Sequence, residues 1–104
     1  MYMNVFRSRK RADYDAAAYG ADAARMDELA RAQPGFLDYK SFAAPDGETV
    51  TISVWDSVAA AKAWARHPEH LAAQARGRSD YYAEYVMYSC DGALERRFNH
   101  QPLP

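Results

Sequence analysis

The chain has 104 residues, 49% of them apolar, 26% charged and 13% aromatic, a profile that fits one folded domain with one core and excludes an intrinsically disordered chain. Thirteen basic residues against fourteen acidic ones leave a net charge of −1, so no overall positive field draws in a phosphate backbone and nucleic acid is not an expected partner. The single cysteine, Cys90, rules out an internal disulfide or a cysteine-built zinc site, and no apolar run suits a signal peptide or membrane span; a cytoplasmic protein without a membrane partner is expected.

Residues 1–8 alternate Met1, Met3, Val5 against Tyr2, Asn4, Phe6, the period of a strand. Asp13 suits the N-cap of a helix reaching about Gln33, with Tyr19, Ala23, Met26 and Ala30 on one face. Gln33-Pro34-Gly35 ends it. A hairpin follows, residues 36–42 and 49–55 flanking the turn Ala44-Pro45-Asp46-Gly47. Ser57 caps a second helix to about Arg66, burying Val58, Ala61, Trp64 and Ala65, and Pro68 opens a third to about Arg78. The last strand runs from Tyr81 to Cys90, with Tyr81, Ala83, Tyr85 and Met87 on one side and Tyr82, Val86, Tyr88 and Cys90 on the other. Residues 1–90 form the body of the single domain, 1–104. Residues 91–104 are a C-terminal extension in which Leu94 to Phe98 is open to pairing as an edge strand and the final residues are expected to be loose.

Strand, helix, hairpin, helices, strand is the order of a ferredoxin-like βαββαβ α+β fold, an antiparallel sheet with its helices on one face. The other face is bare, yet the strands do not alternate in polarity as water-facing strands do. Val50, Ile52 and Val54 share one side of the third strand, and the last strand offers apolar or aromatic residues on both, interrupted by Glu84. Burying ~400 Å² of such surface per subunit is worth on the order of 10 kcal/mol before association entropy. A homodimer whose two sheets enclose a ligand cavity is therefore expected.

Gln33-Pro34-Gly35-Phe36, Thr51-Ile52-Ser53-Val54-Trp55, Ala63-Trp64, His67-Pro68-Glu69-His70 and Gly77-Arg78 before Tyr81-Tyr82-Ala83-Glu84-Tyr85 together resemble the antibiotic biosynthesis monooxygenase family of the dimeric α+β barrel superfamily. The resemblance implies a cofactor-independent monooxygenase that takes molecular oxygen as co-substrate and oxidises a small hydrophobic, phenolic, polyketide-like metabolite. Such a substrate would lie between sheet and helices, held as its anion by Arg78, Tyr82 or His70, and would itself pass an electron to O₂. Members of the family hold the phenol with tryptophan, asparagine, tyrosine and arginine; the matching residue types here are Trp64 and Trp55, Asn4, Tyr82 and Tyr85, and Arg78. The haem-degrading branch carries a strand-one asparagine and a histidine ten residues after the helical tryptophan; Phe6 and Gln74 stand at those places, and an amide is a poor iron ligand. A non-catalytic, small-molecule-binding or stress-related dimer is the alternative.

Each candidate also has a structural reading. His67 and His70 lie three apart without a third ligand nearby, so no metal is expected; His67 suits a helix cap, and His70 either packs beneath that helix or faces the cavity as a proton shuttle. Trp64 at helical spacing fits a core, and Trp55 fits core or cavity wall. Arg76 and Arg78, at a helix C-terminus, serve salt bridging as well as substrate contact. Cys90 reads as a small buried apolar residue.

Overall fold

Four strands, β1 (Tyr2–Lys10), β2 (Phe36–Ala43), β3 (Thr49–Trp55) and β4 (Tyr82–Asp91), form one sheet in the order β2-β3-β1-β4 with every neighbouring pair antiparallel. Three helices, α1 (Ala16–Arg31), α2 (Val58–Ala65) and α3 (Pro68–Arg76), cover one face, giving the ferredoxin-like α+β fold in the computed structural model, which describes residues 1–101. A five-residue π-helical turn, Gly77–Tyr81, joins α3 to β4.

Local chemistry sets the element ends. Asp15, not Asp13, caps α1 and accepts from Ala18 N at 3.0 Å. Residues 11–14 are taken up by a turn in which Tyr14 N donates to Arg11 O at 3.3 Å, so the unpaired helical N–H groups begin only after Asp15. Ser57 caps α2 by accepting from Ala60 N at 3.1 Å, and His67 caps α3, its Nδ1 accepting from Glu69 N at 3.2 Å. Gly35, at φ +82°, lets the chain turn into β2 while its carbonyl accepts from Asp56 N at 2.8 Å. A Cβ there would stand 2.5 Å from Ala60 Cβ and from Asp56 Oδ1, so the start of β2 and the start of α2 meet at a position only glycine fits.

Cross-strand register divides the helix-facing side of the sheet into rows. Asp91, Tyr2, Trp55 and Phe36 lie across from one another in the first row, Ser89, Asn4, Ser53 and Tyr39 in the second, and Met87, Phe6, Thr51 and Ser41 in the third. The first row carries the core: Trp55 is fully buried against Trp64, Ala61, Met26 and Ala30, with Phe36 edge-on at 5.8 Å. The next two rows are mostly hydroxyls and an amide, and no core forms on them.

On the opposite face Met3, Val5, Val50, Ile52, Val54, Val86, Tyr88 and Cys90 form an apolar surface that no helix covers. Cys90 is exposed there, not buried as its composition suggested, because β4 is an edge strand and its even-numbered side points away from the helices. A bulge between Arg9 and Lys10 shifts the β1–β4 register and brings Tyr82 to the helix side with Tyr85 and Met87, correcting the simple alternation that had set it opposite them. Residues 93–101 form no strand. The last three residues, part of the segment expected to be loose, lie outside the described residues. No helix of the described residues is long and apolar enough to cross a membrane.

Candidate functional site

A cavity of about 560 Å³ opens where the hydroxyl-bearing rows of the sheet pass beneath the helices. It lies within one chain, on the helix side of the sheet. The physical reason is the row pattern: small polar residues under α1 and α3 leave space that the large side chains of the Trp55 row fill elsewhere. Asn4, Phe6, Thr51 and Ser53 make the floor, Trp64 and His70 one wall, and Tyr82, Tyr85 and Arg78 the other.

Seven of the eight side chains singled out from the sequence, Asn4, Phe6, Trp64, His70, Arg78, Tyr82 and Tyr85, border this one cavity. Trp55 does not. It is fully buried in the first row, stacked at 6.3 Å on Trp64, so it supports a cavity wall from behind and cannot meet a ligand. Asn4 is oriented from the neighbouring edge strand, its Oδ1 accepting from Ser89 Oγ at 2.6 Å. Phe6 packs on Tyr85 at 5.1 Å and edge-on to Tyr82 at 5.5 Å, so three rings from two strands make a continuous aromatic surface.

His70 stacks almost parallel on Trp64, with ring centroids 4.2 Å apart and planes 13° apart. Its Nδ1 lies 3.0 Å from the carbonyl of Trp64, which can only accept, so Nδ1 carries the proton and Nε2 is left as an acceptor. Gln74 Nε2 stands 3.4 Å from both ring nitrogens, a long contact that a ligand oxygen can replace. Burial pushes the imidazole below its ordinary value, against the smaller opposing pull of the Trp64 carbonyl. His70 is therefore neutral at pH 7 and able to take a proton from a hydroxyl. No group of three or more metal-binding side chains exists among the described residues.

The sequence model described as antibiotic biosynthesis monooxygenase matches residues 1–76. The chain belongs to the antibiotic biosynthesis monooxygenase family. Among curated proteins, the uncharacterized YqjZ of Bacillus subtilis is 42% identical over 86 residues, 83% of this chain and 75% of that protein. Solved structures share the fold: Rv0793 of Mycobacterium tuberculosis at 21% identity (92% and 98% of the two chains, TM-score 0.80) and a Deinococcus radiodurans protein at 14% (96% and 100%, TM-score 0.82). SnoaB of Streptomyces nogalater, a cofactor-independent oxygenase, aligns at 21% identity over 91% of this chain and 97% of its own, with a TM-score of 0.69.

Asp22, which sequence reasoning passed over, joins Arg76 and Tyr81 in holding the cavity of this family member in shape. Asp22 of α1 accepts from Arg76 Nε and Nη2, at 2.8 and 2.9 Å, and from the Tyr81 hydroxyl at 2.8 Å, pinning α1 to α3 and to the π-turn. Arg76 is thus a salt-bridging residue, while Arg78, two positions on, is exposed at the cavity wall. Arg76 above all, aided by Tyr81, holds the Asp22 carboxyl below its ordinary 3.8, with partial burial opposing. A carboxyl depressed in the folded state stabilises fully above its unfolded value and loses that contribution as pH falls through the lower folded value. The urea midpoint of the wild type is therefore expected to drop, as the pH is lowered below about 4, by more than that of Asp22→Asn; equal drops would show that the triad adds nothing to acid stability.

Proposed function

We propose that this chain is a cofactor-independent monooxygenase acting on a small hydrophobic phenol. One observation carries the reading: an aromatic-walled cavity places a neutral histidine acceptor, His70 Nε2, beside a floor of hydroxyl and amide groups, the equipment for deprotonating and orienting a phenol. SnoaB, alike in fold, is an oxygenase of the cofactor-independent kind. In the proposed reaction His70 takes the phenolic proton, and the electron-rich phenolate passes one electron to O₂. The radical pair joins at a ring carbon to form a peroxide. Collapse of the peroxide leaves one oxygen atom on carbon as a quinone carbonyl and releases the other as water with the hydrogens of the original C–H and O–H bonds. The substrate supplies every electron, so no external reductant enters the balance. The His70 ring, backed by Trp64, and the rings of Phe6, Tyr82 and Tyr85 flank the ring system, Asn4 and Arg78 offer donors to its oxygens, and the protein contributes position and charge stabilisation.

The test is oxygen uptake with a panel of hydroxynaphthalenes and anthrones, with isotopically labelled O₂ traced into the product. Label in the quinone, with uptake lost in His70→Ala, supports the reading. Recovery of every bound phenol chemically intact overturns it in favour of a binding protein.

We further propose that the uncovered apolar face pairs with a second copy of this chain. Val50, Ile52 and Val54 point away from the helices although β3 is a central strand, and an apolar patch of that extent on a soluble chain marks a contact surface. Light scattering is expected to return twice the chain mass at micromolar concentration, and the single chain mass for Ile52→Asp, which sets a charge at the centre of the face. A monomeric wild type would refute the pairing.

A further inference from the structure

Two tyrosines stand together at one end of the cavity. Tyr19 reaches down from α1 and Tyr82 in from the start of β4; their rings meet edge-on at 6.1 Å, and both are half-buried. Tyr81, next in the chain to Tyr82 and 5.4 Å from Tyr19, spends its hydroxyl on Asp22. Among the described residues neither the Tyr19 nor the Tyr82 hydroxyl bonds to a carboxylate, and the two stand close enough to interact with each other. Both hydroxyls belong to side chains that line the cavity, so they are open to a polar occupant.

Lys10 adds a second observation. Its Nζ lies 4.5 Å from the centre of the Tyr19 ring while donating to Thr49 Oγ1 at 3.1 Å, which fixes it there. A cation on a phenol ring draws density from the ring and from its oxygen, which makes the O–H a stronger donor. The ammonium itself is turned to Thr49, so the ligand meets the neutral phenol rather than the charge.

We propose that Tyr19 and Tyr82 are a paired donor site for the anionic oxygen of an aromatic ligand, with Lys10 as a positioning residue that polarises Tyr19. The proposal rests on reading the cavity as a ligand site. It assigns the ligand oxygen to two neutral phenol donors at the end of the cavity formed by α1 and the start of β4, the arrangement by which oxyanions are held without a formal positive charge. Tyr82 is suited to it: burial, then Tyr19, pushes its ionisation up, so it is a neutral donor at neutral pH.

The test uses 4-nitrophenol, whose visible band reports its anion, and 4-nitroanisole, its methyl ether, which cannot present an anionic oxygen. Wild-type protein is expected to bind the phenol about tenfold more tightly than the ether, one hydrogen bond to a charged group being worth roughly that factor, and to shift the band of the bound anion. Tyr19→Phe and Tyr82→Phe should each remove most of that preference while ether binding persists, which shows the cavity intact. Lys10→Met should reduce the preference about two- to threefold, the size of a weak cation–π contribution. A preference unchanged in both tyrosine variants overturns the assignment and moves the oxygen to His70 or Arg78. Failure of both probes to bind overturns the ligand cavity together with it.

Discussion

Trp55→Ala is expected to lower stability by about 3–5 kcal/mol, the range for truncating a large aromatic side chain in a core. For a chain of this length that corresponds to a fall in Tm of roughly 15–30 °C. The residue is wholly enclosed, edge-on to Phe36 at 5.8 Å and stacked at 6.3 Å on Trp64. Removing it opens a cavity between β3 and α2 and leaves Trp64 without its backing, so the stack of Trp64 on His70 loosens too. The indole Nε1 is buried without a hydrogen-bond partner among the described residues, so Trp55→Phe removes an unmatched donor along with the volume. The Phe variant should therefore cost well under half as much as the Ala variant. Thermal unfolding at one fixed protein concentration checks both; an Ala variant melting within a few degrees of wild type would mean that the core does not rest on this residue.

The same tryptophan shows where sequence pattern stops. Strand alternation groups Trp55 with Thr49, Thr51 and Ser53, and that grouping holds: all four face the helices. What alternation lacks is the position along the strand. Trp55 lies at the end of β3 against α2, where the layers close, and Ser53 and Thr51 lie farther in, where they do not. The informative signal is an inversion on β3, whose small polar residues face the helices while Val50, Ile52 and Val54 face away. A strand turned polar-side-in in this manner marks a cavity on one side and an unmet contact on the other. Element order, the hairpin and the caps at Ser57 and His67 were readable because each rests on residues adjacent in sequence. The bulge at Arg9 and Lys10 and the π-turn after Arg76 were not, since both arise from contacts between segments about seventy residues apart: Arg11 N donates to Tyr81 O at 2.8 Å, and its guanidinium to the carbonyls of Arg78, Ser79 and Tyr82 at 2.7, 2.5 and 3.0 Å. In the sequence Arg11 stands beside Arg7, Arg9 and Lys10 with nothing to set it apart from them.

That clamp leads to the sharpest expectation for the site, the behaviour of Gly77→Ala. The backbone at Gly77 is right-handed helical, φ −56° and ψ −48°, so alanine costs nothing in conformation and gains about 1 kcal/mol in helix propensity. The obstacle is space: a Cβ there would stand 2.6 Å from Tyr82 Cε2 and 2.9 Å from Cδ2. Overpacking of this kind costs about 1–3 kcal/mol, so the net loss of stability is at most about 2 kcal/mol, because the ring can swing away. It swings from the cavity wall. Gly77→Ala is thus expected to stay folded yet bind a phenolate probe about tenfold more weakly, the equivalent of one lost hydrogen bond from Tyr82. Arg11→Met supplies the converse, removing the donors that hold the turn without filling any space; it should loosen Tyr82 and lower affinity less than the alanine does. Binding measured beside thermal unfolding separates the two. A Gly77→Ala protein that binds the probe as the wild type does would show that the ring of Tyr82 can leave its place without cost to the ligand, and the wall built from the π-turn would then play no part in recognition.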